Sequence, residues 1–116
     1  TNGSLVKVET IDNTVSQVFD FLTTEHPTSL TKNGSNLIYN LDSEVFSKEQ
    51  NSISLPTSSI LSGSFYSMTV KDGKLYATDA GDFASNGTLK IFDLSSNTEI
   101  QSIETGIIPG GVYFNN

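Results

Sequence analysis

The chain has 116 residues, a length that fits one ordinary domain. Only 35% of the residues are hydrophobic, and Ser, Thr, Asn and Gly are frequent, which is typical of a β protein with many turns rather than a helical bundle. The net charge is −7 and there is no arginine, so the basic surface that nucleic-acid binding needs is missing. The absence of cysteine excludes disulfides, thiolate metal sites and cysteine nucleophiles.

The chain repeats itself. Residues 3–21 begin Gly-Ser-Leu and carry Asn13-Thr14 ten positions after the glycine. Residues 87–105 begin Gly-Thr-Leu and carry Asn97-Thr98 at the same spacing, 84 positions later, which is two periods of 42. A middle copy with a shorter turn is therefore expected in residues 43–55.

Two further landmarks follow a similar period. The sequences LTKNG at 30–34 and TVKDG at 69–73 lie 39 positions apart, and each precedes an apolar strand-like run. Pro27, Pro56 and Pro109 are each expected just after the outermost strand of a unit. These landmarks predict a structural repeat of about 40 residues.

Each repeat is predicted to contain four short strands. In the last copy they lie at 65–70, 74–80, 87–94 and 99–105, and a hairpin at 71–73 joins the first two. Its Asp-Gly pair suits such a hairpin because these residues tolerate a positive φ. The third strand has apolar residues on both faces, so we expect neighbours on both sides of the sheet.

Four-stranded antiparallel units of about this length, each packed on two neighbours, are typical of a β-propeller. The fold class is thus predicted to be all-β, a propeller segment of about 2.7 blades. Its blade remnants are expected near 1–26, 27–55 and 65–105, with the start of a closing blade at 107–116. Missing sequence, another chain or self-association would supply the remaining blades, since an isolated arc exposes apolar faces and strand edges.

The residues of the last copy resemble a known family. The run from 75 to 79, the stretch from 87 to 93, Asn97-Thr98 and the Gly-x-x-Pro at 106–109 resemble the last blade of YncE-like seven-bladed propellers, such as surface-layer-like or DUF5074 proteins of Bacteroidetes. The first copy matches more loosely, because Glu25-His26-Pro27 stands in place of Gly-x-x-Pro.

The resemblance implies an exported protein, at the cell surface as an outer-membrane lipoprotein or in the periplasm. The chain is expected to be a ligand-binding repeat protein, and no cofactor is predicted. Some proteins of this kind resemble cobalamin-capturing lipoproteins that sit over a transporter. The partners to consider are therefore a small molecule, a corrinoid or a glycan, an outer-membrane transporter or a surface-layer protein, and no nucleic acid. Propellers host many unrelated functions, so the site itself has to be argued from residues.

The candidate site lies on one face of the expected disc. The loop after the second strand of a blade and the connection after the fourth emerge on the same face, so residues 79–86 are expected near 107–109. By the repeat, 24–28, 40–43 and 56–64 belong to the same rim. Ligands commonly bind at such a channel mouth. The predicted ligand-binding residues are Tyr66, Asp79, Asp82, Phe83, Asn86 and Ile108.

Several of these residues have a simpler interpretation. Asp79, Asp82 and Asn86 could hold Ca²⁺, but their spacing is not that of a calcium loop, and such residues more often bond backbone N–H groups in turns. Phe83 and Tyr66 could stack on a sugar ring or pack on a neighbouring blade. No metal site is predicted.

No catalytic constellation is visible. His26 is the only histidine and has no evident ligand partner or nucleophile. The sequence therefore predicts a non-enzymatic binding or interaction scaffold. The alternatives are a propeller lyase or hydrolase whose catalytic residues lie mostly in other blades, and a purely structural surface-layer component.

Overall fold

The computed structural model describes residues 1–115 and contains ten β-strands and no helix in that range. Because there is no helix, none of the described residues forms a helical membrane span. The strands form three antiparallel sheets. Sheet I consists of β1 (Asn2–Glu9) and β2 (Thr14–Thr23).

The other two sheets have four strands each, paired in chain order. Sheet II contains β3 (Thr28–Asn33), β4 (Asn36–Leu41), β5 (Glu44–Glu49) and β6 (Leu61–Ser62). Sheet III contains β7 (Ser67–Lys71), β8 (Lys74–Asp79), β9 (Asn86–Asp93) and β10 (Thr98–Ile107). The predicted all-β class is confirmed, and the four strands of the last copy lie within a few residues of their predicted positions.

The strand registers reproduce the internal repeat. Each of the seven residue pairs between β1 and β2 recurs 84 positions later between β9 and β10, and both register shifts recur with them. All six pairs between β4 and β5 recur between β8 and β9. Each β4 residue corresponds to the β8 residue 38 positions later, and each β5 residue to the β9 residue 44 positions later. Turn residues follow the same offset, since Asn13 and Asn97 both have φ between 50° and 60°. The repeat is therefore a property of the backbone as well as of the sequence.

Two aromatic and apolar layers hold the three sheets together. Between sheets I and II, Phe21 meets Tyr39 edge-on at 5.5 Å between ring centroids, and Tyr39 stacks on Phe46 at 5.7 Å. The ammonium of the buried Lys48 lies 4.2 Å from the centre of the Phe19 ring. The β1–β2 hairpin thus packs on part of this face of sheet II.

The main core lies between sheets II and III. It contains Ile38, Val45, Leu61, Phe65, Met68, Leu75, Ala77 and Phe92. On the far face of sheet III, Phe114 packs edge-on against Tyr76 at 4.8 Å between ring centroids. Sheet III is therefore covered on both faces, as the apolar pattern of β9 predicts.

The middle copy departs from the sequence-based expectation. Its fourth strand, β6, lies past residue 55, and the only strand within 43–55 is β5. Pro56 precedes β6, so the expectation that it follows an outermost strand is wrong. Residues 50–60 are rich in Ser and form no strand. Because β6 has only two residues, its sequence shows no alternation of apolar and polar residues that could have predicted it.

One smaller expectation is also corrected. The strand registers make Gly34 equivalent to Asp72 of the next repeat, not to Gly73. The spacing between the two hairpins is therefore 38 positions rather than the 39 of the sequence alignment. Both Gly34 and Asp72 have φ between 50° and 60°. Of the proposed closing blade at 107–116, residues 108–115 lie outside any strand, and residue 116 lies outside the described residues.

Candidate functional site

One rim of the molecule gathers the loops that the repeat predicts there. Gly63 donates its N–H to Ser43 O at 2.8 Å, and its carbonyl accepts from the Asn40 amide at 2.9 Å. At the other end of the rim, a Cβ built on Gly87 would lie 2.6 Å from Cδ of Pro109. The β4–β5 turn thus adjoins the segment before β7, and the start of β9 adjoins the connection after β10.

An open depression of about 360 Å³ lies on this rim between sheets II and III. Its wall is formed by Thr28 of β3, by Ser64, Phe65 and Tyr66 before β7, by Asp79 at the end of β8, and by Ala80, Gly81 and Phe83 of the β8–β9 connection. Three of the six predicted site residues, Tyr66, Asp79 and Phe83, therefore share one surface.

The β8–β9 connection is long for this molecule. Residues 42–43 alone join the paired parts of β4 and β5, whereas residues 80–87 join those of β8 and β9. The six additional residues bring Phe83 to the depression. Loops that extend beyond the scaffold commonly carry binding residues, and this connection is longer in sheet III than in sheet II.

Two half-exposed aromatic rings form one wall. Tyr66 and Phe83 are 52% and 55% exposed and meet edge-on, with ring centroids 5.8 Å apart. Phe83 has φ of 62°, a left-handed conformation that costs a residue with a side chain about 1 kcal/mol or more. Its N–H donates to Ala80 O at 3.0 Å, which holds the loop in this shape. The exposed ring is therefore fixed by the loop rather than by burial.

The two aspartates of the loop have different positions. Asp79 lines the depression, and its Oδ1 accepts the Gly81 N–H at 2.8 Å. Asp82 does not line it; its Oδ1 accepts the N–H groups of Ala84 and Ser85 at 2.9 and 2.8 Å. Hydrogen bonds from Ser85 and Ala84 lower the pKa of Asp82 below its ordinary value. Both carboxylates thus serve the backbone turns that residues of this type favour.

The other two predicted residues lie away from the depression. The Asn86 side-chain amide donates to Glu104 Oε1 at 3.2 Å, across the β9–β10 pair. Ile108 has φ of 52° in the connection after β10 and does not line the depression. The structure therefore divides the predicted set into three residues at the depression and three beside it.

Sequence reasoning missed Thr28, Ser64 and the backbone of Ala80 and Gly81. Thr28 and Ser64 fall inside rim segments that the repeat predicts, so the signal was their position rather than their chemistry. Phe65 lines the depression but is buried, with its ring 5.7 Å from that of Phe92. Its main role is in the core.

The polar groups of the depression are hydroxyls, backbone atoms and one carboxylate. No lysine or histidine lines it among residues 1–115. Within the same range, no three His, Cys, Asp or Glu side chains are grouped as a metal would require. No protein-family model matches the chain, and no similar sequence is found among curated proteins.

Proposed function

We propose that the chain is part of a YncE-like β-propeller and serves as a non-enzymatic binding scaffold. The matching registers of the three sheets support this, because a propeller is built from blades with one strand pattern. The resemblance to surface-layer-like propellers supports the location, which we propose is the cell surface or the periplasm.

The contacts between sheets support a radial arrangement. The Val70 N–H of β7 donates to the Thr31 hydroxyl of β3 at 3.3 Å, so the first strands of sheets II and III are neighbours. The Thr69 hydroxyl donates to Val112 O at 3.4 Å, so the segment after β10 lies beside β7 in turn. First strands side by side are what the inner wall of a propeller channel requires.

The observation that carries the proposed binding function is the depression with its aromatic pair. A rigid loop presents the Phe83 ring half exposed beside Tyr66, whereas the equivalent turn of sheet II carries no such extension. Exposed aromatic rings next to hydroxyl and carboxylate groups suit the apolar face and the hydroxyls of a sugar ring.

The chemistry of the wall favours a neutral glycan over the other ligands considered. Among the described residues of the wall, the only charged side chain is Asp79, which can accept hydrogen bonds from sugar hydroxyls and repels anions. A volume of about 360 Å³ is at the small end for ligand sites, which suits one or two sugar rings. A corrinoid is much larger and would contact this depression with only part of its surface.

The arrangement gives less support to an enzyme. Glycoside hydrolysis uses two carboxylates that flank the bond to be cleaved, and the depression contains only Asp79. The Asp82 carboxylate accepts two backbone N–H groups within its own loop. A transporter or a surface-layer protein as partner, and a purely structural role, are the outcomes that the binding experiment must separate from a glycan.

The test is titration of the chain with a panel of neutral hexose and N-acetylhexosamine oligosaccharides, followed by calorimetry on any that bind. Phe83→Ala and Tyr66→Ala should each weaken binding by about tenfold, a typical loss for a stacked ring. Tyr113→Ala is the matched control, because Tyr113 is exposed and does not line the depression. Binding that survives both ring truncations, or a panel without any ligand, would contradict the glycan proposal.

A further inference from the structure

Strand β1 has one edge that no described strand covers. β1 pairs only with β2, in a sheet of two strands. The equivalent strand in sheet III, β9, has β10 on one edge and β8 on the other. The free edge of β1 therefore corresponds to the edge of β9 that β8 occupies.

The equivalence is close because β1 pairs with β2 in the same register in which β9 pairs with β10. All seven β1–β2 pairs match β9–β10 pairs at an offset of 84, including the two register shifts that set the local twist. On the β8 side of β9, six consecutive pairs join Lys74–Asp79 to residues 93–88. The same offset places the corresponding edge of β1 at residues 9–4.

A groove runs along this free edge. It has a volume of about 450 Å³, and four consecutive β1 residues, Leu5 to Val8, form one side together with Gln17 and Phe19 of β2. Leu30 of β3 and Leu37 of β4 form the opposite side, and Leu30 is 56% exposed. We call this the edge groove. Consecutive strand residues point to opposite faces of a sheet, so a groove that contacts all four follows the edge of β1. An added strand would pair at this edge.

The chemistry of the edge groove favours a polypeptide strand over an anionic or purely apolar ligand. Lys48 lies at the groove, but its ammonium already donates to Glu49 O and Ser52 O at 3.1 and 2.6 Å. The outward N–H and C=O groups of β1 require hydrogen-bond partners that an apolar ligand cannot provide. An added strand provides them and covers Leu30 as well.

The charges along β1 indicate the sequence of that strand. Glu9 is equivalent to Asp93, which stands opposite Lys74 in the β8–β9 pair, and the charge of Lys74 contributes to lowering the pKa of Asp93, after the hydrogen bonds from Ser95. A basic residue is therefore suited to the position opposite Glu9. Lys7 is equivalent to Ile91, which stands opposite Tyr76, so an aromatic or acidic residue fits there.

We propose that the edge groove binds a six-residue extended strand of a second polypeptide, antiparallel to β1. The strand has the β8 pattern, with a basic first residue opposite Glu9 and, at the position of Tyr76, an aromatic side chain toward Leu30 and Leu37. It is added to sheet I as a third strand by backbone hydrogen bonding. This site is separate from the depression at Phe83, so its failure and the failure of the glycan proposal can be told apart.

The test uses the full chain and a fluorescent peptide with the sequence of residues 65–80, which contains the β8 pattern. We expect the peptide to bind, and Leu30→Asp to raise its Kd by about tenfold or more, because the charge would face the bound strand. Ile53→Asp is the matched control, since Ile53 is exposed and does not line the edge groove. A peptide with Ala77→Pro should bind more weakly, because the Thr78 carbonyl bonds to Tyr66 on the β7 side and alternation therefore turns the Ala77 N–H toward the strand equivalent to β1.

Amide hydrogen exchange gives a second measurement that does not depend on a variant that may fail to fold. Bound peptide should slow exchange of outward-facing amides in residues 4–9 and leave the β10 edge unchanged. Three results would overturn the proposal: no peptide binding, peptide binding that Leu30→Asp leaves unchanged, or no slowing in residues 4–9. Self-association that depends on Leu30 would assign the edge groove to a second copy instead.

Discussion

Two glycines show how single positions set the geometry between sheets. A Cβ on Gly87 would lie 2.6 Å from both Asp79 O and Cδ of Pro109, and a Cβ on Gly3 would lie 2.6 Å from Cδ of Pro27. Real Cβ atoms do not approach other atoms so closely. In both copies the absence of a side chain therefore lets the connection after the outer strand pass over the start of its neighbour.

Replacing Gly87 by Ala should destabilise the protein by about 2 kcal/mol, because backbone and proline atoms have to move. Gly106→Ala is the control, since its Cβ would meet nothing within 4 Å. Urea unfolding of both variants measures the difference. Equal stability of the two variants would mean that the contact with Pro109 is not as tight as described.

Three aspartates at turns give the protein a defined pH dependence. Hydrogen bonds lower the pKa of Asp12, Asp82 and Asp93 below the ordinary 3.8, chiefly from Thr14, Ser85 and Ser95 respectively. A folded-state pKa below the unfolded value means that the stabilisation is complete above about pH 4 and is lost as the pH falls through the lower, folded-state value.

We therefore expect the urea midpoint to fall between pH 5 and pH 2, and to fall less in Asp82→Asn, which cannot ionise. The direction follows from the unfolded chain binding more protons than the folded chain in this range. A parent protein and an Asp82→Asn variant with the same pH profile would show that the charge of Asp82 does not stabilise the loop.

Residues at equivalent positions of two strands can differ in the hydrogen bonds that they make. Asn40 of β4 and Thr78 of β8 occupy the same place in the repeat, and both are buried. The Asn40 amide donates to Glu44 O at 2.7 Å and to Gly63 O at 2.9 Å, and its Oδ1 accepts the Phe65 N–H at 3.0 Å. The Thr78 hydroxyl has no hydrogen-bond partner among the described residues. Asn40 thus joins sheet II to the segment that enters sheet III.

Asn40→Ala should cost about 3 kcal/mol, because it leaves one buried and two partly buried backbone groups without their partner. Thr78→Val removes an unpaired buried hydroxyl at nearly constant volume, so it should leave stability unchanged or raise it by up to about 1 kcal/mol. Urea unfolding with matched slopes compares the two. A destabilised Thr78→Val variant would show that the hydroxyl has a partner, such as a water molecule.

The sequence predicted the strands best where alternation and turn residues coincide. The turn at Asn97 and the alternating β9 place sheet III correctly, and the offset of 84 is reproduced pair by pair. The fourth strand of sheet II was missed, because β6 has two residues and its pairing depends on backbone contacts with Val45 and Glu44. Local pattern cannot report a strand that tertiary contacts create.

For the site, the sequence predicted where the loops lie, but it did not predict the direction of their side chains. The repeat placed residues 79–86 beside the segment before β7, and the predicted loop aromatics Tyr66 and Phe83 line the same depression. Whether Asp79 or Asp82 lines the depression depends on which backbone N–H groups each carboxylate accepts. The backbone conformation of the folded loop, including the positive φ of Phe83, determines which of the two carboxylates lines the depression.

The whole molecule is more extended than its length requires. Its radius of gyration is 15.0 Å, against about 13 Å for a compact domain of this size. Val6, Val8, Val15 and Val18 form two cross-strand pairs on sheet I, and each is about half exposed. We call these four residues the valine face. In sheet III, the residue equivalent to Val8 is Phe92, which is buried against sheet II.

We propose that these sheets are blades of an arc that further strands complete. Light scattering on a sizing column measures it directly. We predict that the folded chain elutes as species heavier than its 12.5 kDa monomer, and that Val15→Glu with Val18→Glu shifts it toward the monomer. A monodisperse, cooperatively unfolding monomer of 12.5 kDa would contradict the claim, because its valine face would then be stable in water.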